Sequence, residues 1–334
     1  MENIIELNSR IVASSDVVGT FEARGPLGEY FKYCDVNNDD RFGQKTWEQS
    51  ESEMQRQALA NALKNVGRKA AEIDALFAGD LENQCIASAY GLMGFGIPYF
   101  GLYGACSTAV EGLLLSSMCV SKKIFSHVAS VTSSHFCTAE RQFRMPVEYG
   151  SQKTPTAQRT VTGAAAFIQK FADKREGAII KEGVCGIVRD YGIIDTANMG
   201  AAMAPAALDT LLRYFRASGR QIKDFDMILT GDLGHEGGDI LCRLMKTEGY
   251  DIFGIYEDCG KLIFSRETQD THAGGSGCGC SAVVFSAYIL PKIESGELKN
   301  VLFIGTGAMM SPLGIMQGKT IPSVAHLVHV SSAK

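Results

Sequence analysis

Gly67-Arg68, followed by Ile73-Asp74-Ala75-Leu76-Phe77-Ala78-Gly79-Asp80-Leu81, decides the fold, because the chain writes this stretch twice. Gly219-Arg220, followed by Phe225-Asp226-Met227-Ile228-Leu229-Thr230-Gly231-Asp232-Leu233, repeats it at a constant offset of 152 residues. Each copy follows a helix-like apolar pattern, Leu59, Leu63 and Val66 in one and Leu211, Phe215 and Ala217 in the other. Each ends a short apolar strand on Gly-Asp-Leu, so a helix–turn–strand unit is used twice. A looser match sets Ala105-Cys106-Ser107 against Gly279-Cys280-Ser281, and the next strands, Val128 to Thr132 and Val301 to Gly305, keep almost the same offset.

Two equivalent α/β halves follow, with sheets covered by helices in layers and ligands collecting at strand ends. The charged turn Asp173-Lys174-Arg175-Glu176-Gly177 separates the apolar strand Gly163 to Ile168 from a β-like run at Val184 to Val188. This places the halves at 1–175 and 176–334.

With 46% hydrophobic and 21% charged residues, the 334-residue chain has the composition of an ordinary globular protein with a large core. A net charge of −5 argues against nucleic acid as the main partner, since phosphate binding needs a basic surface. The start, Met1-Glu2-Asn3-Ile4-Ile5-Glu6, lacks the basic and apolar runs of a signal peptide, so the ten cysteines are expected to be thiols. No CxxC pair occurs, and Cys278-Gly279-Cys280 lacks the further Cys or His spacing of a zinc site, so no metal is expected. Residues 83 to 110 carry no charge, but Gly91, Gly94, Gly96, Gly101, Gly104 and Pro98 interrupt any membrane span. The segment reads instead as buried turns and a strand leading to Cys106.

Cys106 follows a glycine turn and opens the apolar run Val110 to Leu115. A helix N-terminus favours a thiolate, which makes Cys106 a candidate nucleophile; the alternative is a small hydrophobe packed in a turn.

A duplicated α/β chain with a cysteine opening a central helix resembles the thiolase and ketoacyl synthase superfamily. Further blocks are similar to the stage V sporulation AD family within it: Arg24 to Gly28, Thr46-Trp47-Glu48, Gly104 to Ala109, Thr132 to His135, Thr138 to Arg144, Val161-Thr162-Gly163-Ala164 and Asp195 to Pro205. The resemblance implies a thiolase fold of layered αβαβα architecture and a role in handling dipicolinic acid in spore formation and germination. It implies binding rather than turnover, membrane partner proteins of the stage V sporulation A group, and synthesis in the forespore. It also implies peripheral attachment to the spore inner membrane without a transmembrane segment, and a homodimer.

In condensing enzymes the cysteine works with a histidine and a second histidine or asparagine from loops of the second half. Here Gly231-Asp232-Leu233-Gly234 and Ala273-Gly274-Gly275-Ser276 occupy those loops, so both partners are missing. His235 and His272 lie a few residues away, and the competing reading is an acyltransferase that uses one of them with Cys106. His235-Glu236-Gly237-Gly238-Asp239 is not a zinc motif, for its second histidine is absent.

Dipicolinate is a flat ring with two carboxylates, so its pocket needs donors or cations and apolar walls. Ser133, Ser134 and His135 follow a strand end, Arg141 and Arg144 are three apart, and Phe136, Phe143 and Tyr149 supply rings. With Cys106, Thr162, Asp232 and His235 these complete the expected ligand set, and no other cofactor is expected. Internal pairing with Glu140 and Glu148 is the alternative for the arginines. The ligand arrives as free acid or calcium chelate. Asp35 to Asp40 is not an EF-hand loop, since Asp40 and Thr46 stand where Gly and Glu are required.

Overall fold

Both copies of the repeated unit fold alike. The helices Trp47–Val66 and Met199–Ser218 stop at Gly67 and Gly219, whose left-handed φ values of 67° and 66° suit glycine at a helix end. A 3₁₀ turn follows each, closed by the same device: the Lys69 N–H donates to Glu72 and the Gln221 N–H to Asp224, both at 2.8 Å. The strands Ala75–Gly79 and Met227–Thr230 come next. The computed structural model describes residues 4–143, 153–174 and 176–334.

The strands are β1 (Ile5–Val18), β2 (Ala75–Gly79), β3 (Tyr99–Leu102), β4 (His127–Ser134), β5 (Arg159–Thr160), β6 (Gly163–Phe171), β7 (Ala178–Val184), β8 (Met227–Thr230), β9 (Tyr256–Asp258), β10 (Gly275–Ser276), β11 (Asn300–Ala308) and β12 (Ser323–Ser332). Ten of them form one sheet in the order β3-β2-β4-β6-β1-β7-β12-β11-β8-β9, while β5 and β10 make a short parallel ladder. Read from either end, the order is a parallel trio followed by antiparallel neighbours, and the antiparallel β1–β7 pair lies at the centre of the pattern.

The Thr108–Ser121 helix touches β1, β4 and β6 on one side and β11 and β12 on the other. It is therefore sandwiched between the two half-sheets, beside the Cys278–Val284 helix. Trp47–Val66 covers the outer face of β1, β4 and β6, and Met199–Ser218 covers β11 and β12. This is the expected αβαβα layering. Phe285, fully buried between the halves, stacks on Phe303 at 4.5 Å and meets Phe167 at 5.8 Å, so one ring ties both sheets to the central layer.

Two local expectations are corrected. The strand placed at Val184 to Val188 is β7, Ala178–Val184: Ala178, Ile179 and Ile180 pair with β1 and β12, whereas Ile187 and Val188 are exposed. The uncharged segment 83–110 is not buried throughout. It contains the helix Ile86–Leu92, which packs on Trp47–Val66, and Tyr90, Met93 and, on the edge strand β3, Phe100 stand 65%, 73% and 47% exposed.

Candidate functional site

A cavity of about 390 Å³ opens where β2, β3 and β11 end, the place where parallel α/β sheets hold ligands. Leu81, Asn83, Tyr103 and Cys106 line it from the first half, with Ala139, Glu140 and Phe143 of the helix Phe136–Phe143. Gln158, Thr160, Thr196 and Met199 add to the wall, and Ser276 with residues 308–312 closes it from the second half. Among the described lining residues Glu140 is the only charged side chain.

Cys106 sits on a strained turn. Ala105 has a φ of 51°, in the left-handed region that a residue with a Cβ seldom enters. The turn is held by hydroxyls: Ser107 donates to the Gly104 carbonyl at 2.6 Å and Thr108 to the Ala105 carbonyl at 2.7 Å. It also presses on the second half, where a Cβ at Gly307 of β11 would stand 2.5 Å from the Gly104 oxygen. The sequence therefore fixes the thiol from both sides.

Cys106 Sγ lies 4.0 Å from Ser276 Oγ, whose hydroxyl donates to the buried Asp232 carboxylate, and the Asp232 charge acts on the thiol. Asp232 accepts from the Gly277 N–H at 2.8 Å, from Thr306 at 2.9 Å and from Ser276 at 3.3 Å. Burial pushes its carboxyl up to about 6, an effect these donors only partly offset. Burial, then the Asp232 charge, push the Cys106 thiol well above its ordinary value. A carboxylate beside a buried thiol works against the thiolate that nucleophilic attack requires.

The remaining expected residues are spread around this centre. His235 is half-buried at the start of the Gly234–Thr247 helix, its imidazole pushed down by burial and by Arg266 and Lys261; His272, with φ 51°, lies 3.5 Å from Asp270. Neither lines the cavity. Ser133 donates to Glu51 at 2.8 Å, Ser134 to the Val161 carbonyl at 2.7 Å, and the Thr162 hydroxyl accepts from the Phe136 N–H at 3.1 Å. His135 reaches the Asp40 carbonyl through Nε2 at 2.9 Å and packs on Trp47. Arg141 is ion-paired with Glu48. Arg144, Glu148 and Tyr149 lie outside the described residues. Asp35 accepts from the Asn37 and Asp39 N–H groups and so closes its own loop.

Sequence reasoning missed Gln158 and Asp258. Gln158 donates to the Asp232 and Gly275 carbonyls at 2.7 and 2.8 Å and fastens the two second-half loops together. Asp258 accepts from Thr230 at 2.6 Å and from the N–H groups of Leu233 and Gly234 at 2.8 and 2.9 Å, and burial pushes it up to about 7. A signal for Asp258 existed, since it caps the Cys259–Ile263 helix by accepting from the Lys261 N–H.

A cysteine on a tight turn between two equivalent half-sheets defines the thiolase class of fold, and solved structures agree. The chain aligns with cerulenin-bound OleA of Xanthomonas campestris at a TM-score of 0.63 and 14% identity, covering 98% of each chain. With 3-oxoacyl-(acyl carrier protein) synthase III, FabH, of Xanthomonas oryzae the TM-score is 0.59 at 15% identity, over 97% of this chain and 99% of that one. Likeness at this level speaks for the fold alone. The family model for Stage V sporulation protein AD matches residues 2–331, and the chain belongs to that family. It is 40% identical over 316 residues to Stage V sporulation protein AD of Bacillus subtilis, covering 94% of this chain and 91% of that protein. Its role accordingly lies in sporulation. Among the described residues no helix is long and apolar enough to cross a membrane.

Proposed function

We propose that this protein holds dipicolinate in the cavity before Cys106 without turning it over. The observation that carries the reading is Asp232: the group facing the thiol is a buried carboxylate rather than an imidazole, so the thiol stays protonated. The cavity volume suits one small ligand, with Leu81, Phe143, Met199 and Met310 as apolar walls and Asn83, Gln158, Thr160 and Ser276 as polar contacts. The ligand enters as dianion or calcium chelate and passes to membrane proteins of the stage V sporulation A group at the spore inner membrane. Family membership supports that part of the reading.

Titration calorimetry with dipicolinate, with and without equimolar calcium, tests it. The wild type is expected to bind saturably, and Ala197→Trp, which fills the cavity from a half-buried wall position, to bind at least about tenfold more weakly. Absence of binding by the wild type, or equal binding by the variant, overturns the assignment. The thiolase-like neighbours support a second reading, acyl transfer through Cys106. It requires an acyl-CoA-derived mass adduct on the wild type that Cys106→Ala abolishes.

A further inference from the structure

Glu51, Asp80 and Glu82 are buried together, none more than 6% exposed, and tie together two segments that line the cavity. Asp80 and Glu82 flank Leu81 and precede Asn83, both wall residues. Glu51, from the Trp47–Val66 helix, reaches Ser133 at 2.8 Å and Thr138 at 2.7 Å. Thr138 belongs to the helix whose Ala139, Glu140 and Phe143 form the facing wall.

The hydrogen count around Thr138 accommodates a carboxyl proton on Glu51. Thr138 Oγ1 has one hydrogen and two oxygen neighbours, Glu51 Oε2 at 2.7 Å and the His135 carbonyl at 2.9 Å. A carboxyl proton on Glu51 completes the second bond. Glu82 lies beside Glu51 with its Oε1 buried and without a partner, and two neighbouring buried carboxyl groups are accommodated together when one carries a proton. Asp80, by contrast, accepts from the Ser88 N–H, the Ser88 hydroxyl and the Glu82 N–H at 2.6–2.8 Å, three donors that suit its charge.

Among the described residues no cation is paired with the group. Cys85, Tyr99 and Tyr103 face Asp80 from the β3 side and Cys278 faces it from the second half; burial pushes all four up, so they are neutral near pH 7. Gln55 donates to Ser133 and Ser88, Glu48 on the same helix is paired with Arg141, and His135 is turned to Asp40. Among the described residues no Lys, Arg or His is hydrogen-bonded or ion-paired to these carboxyls.

We propose that Glu51 and Glu82 share a proton and, through Thr138, form a latch that holds two walls of the cavity together, making ligand retention proton-linked. Its consequence for binding rests on the cavity being the ligand site. Burial and the neighbouring Asp80 charge support the proton's presence, pushing Glu82 up to about 7 and Glu51 well above its ordinary value. Groups raised in this way bind their proton in the closed form. The latch is firm at low pH and weakens as pH rises through about 7 for Glu82, and further for Glu51.

Amide hydrogen exchange on the ligand-free protein tests this, read as protection factors for residues 80–83 and 136–143. Between about pH 6 and pH 8.5 protection is expected to fall by up to about tenfold per pH unit in the wild type. In Glu51→Gln/Glu82→Gln, where neutral amides replace the acids, it stays flat. A flat wild-type profile, or an equal slope in the variant, overturns the latch. Dipicolinate affinity, titrated in parallel, is expected to weaken over the same range. Sloping exchange with affinity independent of pH overturns the link to retention, and sloping exchange with no dipicolinate binding at any pH overturns the cavity assignment while the latch stands.

Discussion

Replacing Asp232 by Asn reports on both the stability and the chemistry of the site. The buried carboxyl is pushed from an ordinary 3.8 to about 6, and a gap of roughly two pH units is worth about 3 kcal/mol. Because the folded-state value is raised, the protonated side chain contributes stability that is complete below about pH 4 and lost as pH climbs through about 6. Asn mimics the protonated form. Urea denaturation is therefore expected to show no difference from wild type near pH 4 and a gain of about 2–3 kcal/mol for the variant at pH 8. The same change removes the negative charge beside Cys106. With that charge gone, the thiolate fraction and the rate of alkylation by iodoacetamide at pH 7.5 are expected to rise by about 10- to 100-fold, read by peptide mass at Cys106. Unchanged labelling in Asp232→Asn, or wild-type labelling as fast as a free thiol, refutes the claim that Asp232 silences Cys106.

Glu182 is held down to about 2 through bonds from His329, Arg220 and Tyr214, although burial opposes them; the stability it contributes is present above its ordinary 4.5 and lost as pH falls toward about 2. Glu182→Gln is expected to lose about 2 kcal/mol at pH 7 in urea melts, roughly half of that at pH 3, and little at pH 2 and below. Gly307→Ala drives a Cβ against the Gly104 oxygen and is expected to lower the melting temperature and displace the Cys106 turn, seen as weakened dipicolinate binding in calorimetry. The open edge at β3, with exposed Tyr99, Phe100 and Tyr103, predicts self-association of two copies; sedimentation is expected to show a dimer that Phe100→Lys converts to monomer.

Much of this architecture was legible because its markers are local. Gly67 and Gly219 end equivalent helices, and the two Gly-Asp-Leu motifs mark the ends of equivalent strands, so duplication could be read directly from the sequence. β7 was harder. Its Lys181-Glu182 pair breaks the apolar run, and only the fold supplies the Arg220, Tyr214 and His329 that make Glu182 acceptable there. The exposure of Tyr90, Met93 and Phe100 was equally hidden, since an uncharged segment at the surface has the composition of a buried one. Within the site, Cys106 and Asp232 were visible from the pairing of turn and loop. Gln158 acts through contacts 74 and 117 residues away and leaves no periodic trace, and for Asp258 only the helix cap is local, its bonds to Thr230, Leu233 and Gly234 being set by the fold. Ser133 looked like a ligand contact from its strand-end position, yet its hydroxyl is engaged with Glu51 and Gln55.

The cavity takes its floor and walls from both copies of the duplicated unit, with Leu81 and Cys106 from one and Ser276 and Pro312 from the other. Taking away either copy would remove one side of the lining. The enclosed volume is therefore a property of the joined pair, not of either unit. A chimera that exchanges one half for that of a distant relative must keep the backbone approach of Gly104 to Gly307, where a Cβ would stand 2.5 Å from the Gly104 oxygen.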